Sequence, residues 1–168
     1  MVHEARRAAI QGVSAMGFFD KLKGAVNAVT GGGAKVAIEY PQTLVFGGDM
    51  IPVKITATST GGEIKSKGVF IDIEGVEDIN IKKGDSNVEG TVTASKRTFE
   101  QQYQIAPAFV LAPNETKLFE GQVQVPGTAQ PTYRGHSVEH KWVIRGRVEA
   151  FGNDPDSGWQ PIRVGNRS

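Results

Sequence analysis

Apolar and polar residues alternate along most of the chain after residue 34. The longest alternation lies between residues 138 and 151, where apolar side chains fall on one face and charged ones on the other. The predicted inward face carries Val138, His140, Trp142, Ile144, Val148 and Ala150. A period of two predicts a β-strand, because successive side chains of a strand point to opposite faces. We therefore expect Trp142 in a buried core and His140 hydrogen-bonded at its edge.

Shorter alternating runs elsewhere in residues 34–165 are separated by Gly, Pro, Asn and Asp. About nine short strands with such punctuation are typical of an antiparallel sandwich. The pattern predicts a break at Lys96 and Arg97, and a short separate strand at Ile79 and Ile81. The predicted fold class is all-β, an antiparallel immunoglobulin-like β-sandwich with one N-terminal amphipathic helix.

That helix is predicted over residues 16–30, where apolar residues recur every three or four positions. Its apolar face is a candidate interaction surface and carries Phe18, Phe19, Leu22 and Val26. Two roles are open for this face: it packs over the sandwich, or it docks on a partner or a second copy. Glycines 31–33 predict a hinge before the sandwich of residues 34–165, and residues 1–15 are expected to be a weakly ordered extension.

Composition narrows the class of function. The chain has 168 residues with 19 basic and 18 acidic side chains, and a formal charge of +1 gives no strong field for nucleic acid. No apolar run approaches the ~18–20 residues of a transmembrane helix, and the predicted helix has few cations for a membrane surface. The absence of cysteine excludes disulfides and thiolate metal sites. We expect a soluble, cytoplasmic protein.

One short motif points to chemistry. His136, Glu139 and His140 have the H-x-x-E-H spacing of inverted zinc proteases. On a helix, residues four apart share a face and can share a metal, whereas on a strand the same spacing places them ~13 Å apart. The alternation that follows favours a strand, so the metal-dependent hydrolase is the alternative interpretation. We expect no metal, cofactor, catalytic residue or small-molecule substrate.

A second candidate surface is the acidic segment 153–159. Asp154, Asp156 and Trp159 are candidate interaction residues within it. The carboxylates could offer oxygens to calcium, but the segment lacks the glycine and glutamate spacing of an EF-hand. Asp-Pro and Ser-Gly pairs indicate a β-turn instead, with Trp159 packing the loop onto the sandwich. Calcium binding stays open at this stage.

The sequence also resembles a known family. Residues 16–165 resemble the amino-terminal domain of arrestins and are closest to the bacterial arrestin-like sporulation-control proteins. The positions that carry the resemblance are Phe18–Leu22, Lys35–Tyr40, Gly47–Ile55, Phe119–Pro126, Pro131, Gly135 and Trp142. A full arrestin has two such sandwiches, and this chain has room for one. The resemblance implies a scaffold or interaction role without a cofactor or catalytic residues.

Together these observations predict a non-enzymatic protein-interaction or scaffold domain. Its expected partner is another protein or a second copy of the chain. Binding would use sheet edges, loops and the N-terminal helix, because an open sheet edge can accept an added strand.

Overall fold

The computed structural model describes residues 28–31, 33–85, 87 and 89–167. Within these residues every regular element is a β-strand. The eleven strands are β1 (Ala28–Gly31), β2 (Ala34–Glu39), β3 (Leu44–Phe46), β4 (Met50–Ser59), β5 (Ile64–Ile81), β6 (Val92–Ala106), β7 (Phe109–Leu111), β8 (Thr116–Gln124), β9 (Tyr133–Arg134), β10 (Val138–Ala150) and β11 (Gln160–Gly165). The all-β class predicted from the alternation is confirmed.

The strands form two sheets that face each other. The smaller sheet has the order β1-β2-β4-β8, and the larger has the order β3-β11-β10-β5-β6, with β7 beside β5 and β9 beside β10. All pairs are antiparallel except β3 with β11, which is parallel. The sandwich is therefore mixed at one edge, a detail that alternation cannot reveal because it reports faces and not strand direction.

The core lies between the sheets and consists of the inward-facing side chains of the alternating strands. In β4, Ile51, Val53 and Ile55 are fully buried while the residues between them are partly exposed. The inward residues of β10 and β5 meet them from the larger sheet. Burial of each large aliphatic side chain stabilises the fold by ~1.5–3 kcal/mol, so this patterning dominates the choice of fold.

Two predicted boundaries in the larger sheet are wrong. Ile79 and Ile81 end the continuous 18-residue strand β5 rather than forming a separate one. Likewise, β6 runs for 15 residues through Lys96 and Arg97. The predicted break is a β-bulge, because the pairing register between β5 and β6 shifts there. Pairing with strands on both sides keeps β5 extended through residues that resemble a loop.

The N-terminal prediction needs one correction. The helix was predicted over residues 16–30, but Ala28–Gly31 form strand β1, which pairs with β2. Gly31 lies opposite Ala34, so β1 and β2 form a β-hairpin where a hinge was predicted, and Gly33 has a φ of 96° that suits a turn. The rest of the predicted helix, residues 16–27, and the extension 1–15 lie outside the described residues.

Candidate interaction surface

His140 is a core residue held by two hydrogen-bonding partners. It lies in β10 and is 1% exposed. Its Nε2 lies 2.8 Å from Oγ1 of Thr98, and its Nδ1 lies 3.1 Å from the carbonyl oxygen of Pro131. Both ring nitrogens are therefore occupied within the chain. The prediction of a hydrogen-bonded histidine at the core edge is confirmed.

The other two residues of the zinc-protease spacing point elsewhere. Glu139 is next to His140 on the strand and faces the opposite side, where its carboxylate lies 3.6 Å from the guanidinium of Arg134. His136 precedes the strand and is exposed, with Nε2 3.2 Å from a carboxylate oxygen of Asp85. The helix that would bring the three side chains together is replaced by an extended strand.

The described residues contain no cluster of three or more His, Asp or Glu side chains suited to a metal ion. This applies also to the acidic segment, whose carboxylates bond to their own loop. Asp154 accepts a hydrogen bond from the amide of Ala150 at 3.0 Å, and Asp156 accepts one from the amide of Gly158 at 2.7 Å. These contacts support the β-turn interpretation over a calcium loop.

The acidic turn also covers a network of charges on the outer face of the larger sheet. Oδ2 of Asp72 accepts hydrogen bonds from Nη2 of Arg145 at 2.8 Å and from Nε of Arg147 at 3.1 Å. The same arginines reach the turn, since Arg145 lies 3.4 Å from Asp156 and Arg147 lies 3.5 Å from Asp154. The arginines therefore join the strand to the turn instead of forming a free basic surface.

Trp159 ends this turn and is partly exposed. Its ring centroid lies 4.4 Å from the guanidinium carbon of Arg145, a cation–π distance. The tryptophan is 38% exposed, so it packs the turn through one face and leaves the rest at the surface. Beside the network lies an open cleft of 760 Å³ that includes Asp72, Arg145 and Asp154. Sequence reasoning missed Asp72, because nothing local marks a carboxylate between two core isoleucines.

Trp142 is 2% exposed, and its ring lies against those of Phe99 and His140. Its Nε1 donates to the carbonyl oxygen of Gln130 at 2.8 Å, and its ring lies 5.4 Å from that of Phe99. The prediction that Trp142 is buried is confirmed. A buried indole satisfied in this way anchors the segment before β9 against the core.

A polar cleft of 580 Å³ lies on the outer face where β5, β6 and β10 meet. Lys141 donates to Asp78 at 2.5 Å, which lowers the pKa of that carboxyl and raises the pKa of the lysine. The contact with His136 likewise lowers the pKa of Asp85. Asp78 and Lys141 carry opposite charges in contact, which favours the charged form of each. The two carboxylates that line the cleft, Asp78 and Glu139, are therefore paired with Lys141 and Arg134.

One edge of the larger sheet is β6, and β3 lies at the other. Only β5 pairs with β6 among the described strands. The bulge at Thr98 divides this edge into two parts. Beyond the bulge, the hydroxyl of Tyr103 donates to the carbonyl oxygen of Gln124 at 3.0 Å, and Ile105 packs against Gly121 of the smaller sheet. Before it, the residues Val92–Lys96 are all exposed, and we call this part the open edge.

Of the sequence-predicted interaction residues, the structure places Asp154, Asp156 and Trp159 together on one turn. The four apolar residues predicted on the helix, Phe18, Phe19, Leu22 and Val26, lie outside the described residues. The sequence predicted binding at a sheet edge but not at which strand, because alternation identifies strands and not their order in a sheet. No helix long and apolar enough to cross a membrane occurs in the described part of the chain.

Comparisons with known proteins bear on the fold. No family model matches the chain, and no curated protein matches it. Among solved structures, the sporulation control protein Spo0M from Bacillus subtilis is similar, with a TM-score of 0.57 and 16% sequence identity. The chain has an arrestin-like fold. The alignment covers 79% of this chain and 49% of Spo0M, so the chain spans about half the length of that protein. The resemblance found in the sequence is confirmed at the level of the fold.

Proposed function

We propose that this chain is a non-enzymatic interaction domain that binds an extended polypeptide segment along the open edge of β6. The observation that carries the proposal is that β6 is the last of the described strands in its sheet and that its residues Val92–Lys96 are exposed. An edge strand presents a row of backbone donors and acceptors that an incoming strand can pair with. The likeness to Spo0M supports a regulatory setting, and the lack of cysteine supports a cytoplasmic one.

The rest of β6 explains why the site is limited to its first part. Proteins block unwanted edge pairing with charged residues and bulges. Lys96 and Arg97 stand beside the bulge at Thr98, where the guanidinium of Arg97 lies 2.7 Å from Glu100 and 3.3 Å from Glu74. Val92–Ser95 carry no charge, proline or glycine. The first four residues of the open edge, Val92–Ser95, are therefore not protected in this way, and Lys96 lies at its protected end.

Proline substitution tests the proposal without removing a side chain that packs in the core. The amides of successive strand residues point to opposite edges, so one of Thr93 and Ala94 directs its amide toward β5 and the other away from the sheet. We expect one of Thr93→Pro and Ala94→Pro to keep the melting temperature, because only an unpaired amide is lost. That variant should fail to bind a peptide that the wild-type chain selects from a random peptide library.

The matched control is alanine or valine at the same position, which keeps the amide. Thr93→Val should retain binding of the selected peptide if the backbone makes the contact. Retention of binding by the folded proline variant would show that the peptide lies elsewhere. The predicted helix is a second proposed contact, through Phe18, Phe19, Leu22 and Val26, and the deletion described in the Discussion tests it.

A further inference from the structure

The inner face at the open end of the larger sheet carries rows of apolar side chains. Residues directly opposite each other across paired strands point to the same face. Val138, Ile79 and Ala94 are joined in this way across β10, β5 and β6, and Ile81 lies opposite Val92 in the next row. These rows share the face of the buried His140, but Val92 is 40% exposed and Ala94 is exposed as well.

The neighbouring row toward the core is charged. Glu77 lies opposite Lys96 on one side and opposite His140 on the other. On the outer face, the open edge presents only the small polar side chains of Thr93 and Ser95. On its inner face the open edge therefore carries the apolar Ala94 and the cationic Lys96. On its outer face it carries the hydroxyl groups of Thr93 and Ser95.

We infer that the segment bound at the open edge is β6 of a second copy of this chain, paired antiparallel with its own counterpart about Ala94. The inference rests on the proposed function of this edge. A two-fold axis perpendicular to a sheet places one residue opposite itself. With Ala94 at the axis, the row Val138–Ile79–Ala94 continues into the same row of the second copy, so six apolar residues lie side by side.

Charge favours this register. With Ala94 at the axis, Val92 lies opposite Lys96 of the second copy, and Thr93 lies opposite Ser95. The aliphatic stem of Lys96 can cover the valine while its ammonium stays in solvent. A register centred on Lys96 would instead place two lysines opposite each other, which is destabilising. The Ala94 register joins the apolar rows and opposes no like charges.

Introducing a charge at Ala94 tests the inference. We expect the wild-type chain to sediment at twice its 18.0 kDa mass at sufficient concentration. Ala94→Lys and Ala94→Glu each place like charges at the axis and should weaken self-association about tenfold or more. Both should keep the wild-type melting temperature, because residue 94 is exposed in the single chain. An equimolar mixture of the two variants should form the dimer again.

Cysteine scanning reads the register directly, since the natural chain has no cysteine. Directly opposed strand residues have Cα atoms ~4.5–5.5 Å apart, within reach of a disulfide. Mild oxidation should therefore cross-link Ala94→Cys faster than Thr93→Cys or Ser95→Cys. Equal cross-linking rates for the three variants would overturn the inference. Cross-linking of Gln122→Cys, on the edge strand β8, at the rate of Ala94→Cys would overturn it as well.

Two further outcomes separate the inference from the proposed function. If the wild-type chain stays a monomer while a selected peptide still requires the amides of the open edge, the second copy is the wrong occupant and the function stands. If both Ala94 variants remain dimers, another surface joins the chains and the inference is wrong. If neither peptide nor second copy depends on this edge, both proposals fail.

Discussion

Oγ1 of Thr98 lies 2.8 Å from Nε2 of His140, although β6 and β10 are separated by β5. The contact passes over Gly75 of β5. A Cβ at Gly75 would lie 2.8 Å from the threonine oxygen and 3.4 Å from the histidine nitrogen. The bulge at Thr98, Gly75 and the buried His140 are therefore in mutual contact. This contact fixes the position of the bulge, at which the open edge ends.

Loss of the Thr98 hydroxyl should destabilise the fold. Thr98→Val keeps the volume but leaves a nitrogen of the buried His140 without its partner, at a cost of ~1–3 kcal/mol. Urea unfolding of the variant measures this difference. Thr93→Val is the control on the exposed part of the same strand and should change stability by less than about 0.5 kcal/mol. Equal effects at the two positions would mean that the hydrogen bond contributes nothing measurable.

Trp142 should be the costliest of these positions to truncate. Trp142→Ala removes a buried ring and leaves the carbonyl of Gln130 without its indole donor. We expect a loss of ~3–5 kcal/mol in the free energy of unfolding, the usual cost of removing a large buried aromatic. A loss below about 1 kcal/mol would place Trp142 outside the core and contradict the register of β10.

The Asp72 network should contribute more than an exposed ion pair. Asp72 is 9% exposed and accepts hydrogen bonds from both Arg145 and Arg147. Asp72→Asn leaves two partly buried guanidinium groups with a weaker acceptor. We expect a loss of about 2–3 kcal/mol, between the values for exposed and fully buried pairs. Chemical unfolding at neutral pH checks the value, and a loss below about 0.5 kcal/mol would contradict it.

Asp78→Asn is the matched control, because Asp78 pairs with Lys141 at the surface. Its cost should stay below about 1 kcal/mol, since solvent screens the pair. The hydrogen bond from Lys141 lowers the pKa of Asp78 below its ordinary value of 3.8. The stabilisation is therefore present at neutral pH and is lost as the pH falls through the lowered pKa. The difference between wild type and variant should shrink as the pH falls below about 3.8, and a constant difference would refute the assignment.

Deletion of residues 1–27 tests the predicted helix. The cut precedes β1, which begins at Ala28 and pairs with β2. If Phe18, Phe19 and Leu22 contact a partner rather than the core, the truncated chain should keep its melting temperature and change its association or partner binding. Thermal melts and sedimentation measure the two properties. A truncated chain that unfolds would show that the helix belongs to the core.

Strand positions could be predicted from the sequence where burial alone decides them. Val138 to Ala150 is a strand with Trp142 inward because its period of two matches a half-buried sheet. The arrestin-like fold was also suggested by the resemblance of segments such as Gly47–Ile55 and Phe119–Pro126 to arrestins. Such local signals do not say which strand lies at an edge.

The rest depends on contacts between residues far apart in the sequence. Asp72 is 73 residues from Arg145, and no local pattern connects them. Residues 75–78 include a glycine and two carboxylates that favour a loop, yet β10 and β6 hold them extended. Likewise, the bulge at Thr98 is recognisable only from the pairing register between β6 and β5.

Amide hydrogen exchange along β6 tests the central claim most directly. Within Val92–Lys96, the amides that point away from β5 have no partner among the described strands. On addition of the selected peptide, or at concentrations where the chain self-associates, these amides should exchange at least about tenfold more slowly, because they become hydrogen-bonded in a new ladder. The amides of the β8 edge should not change. Unchanged exchange along the open edge, with protection at β8 or at the acidic turn instead, would contradict the account.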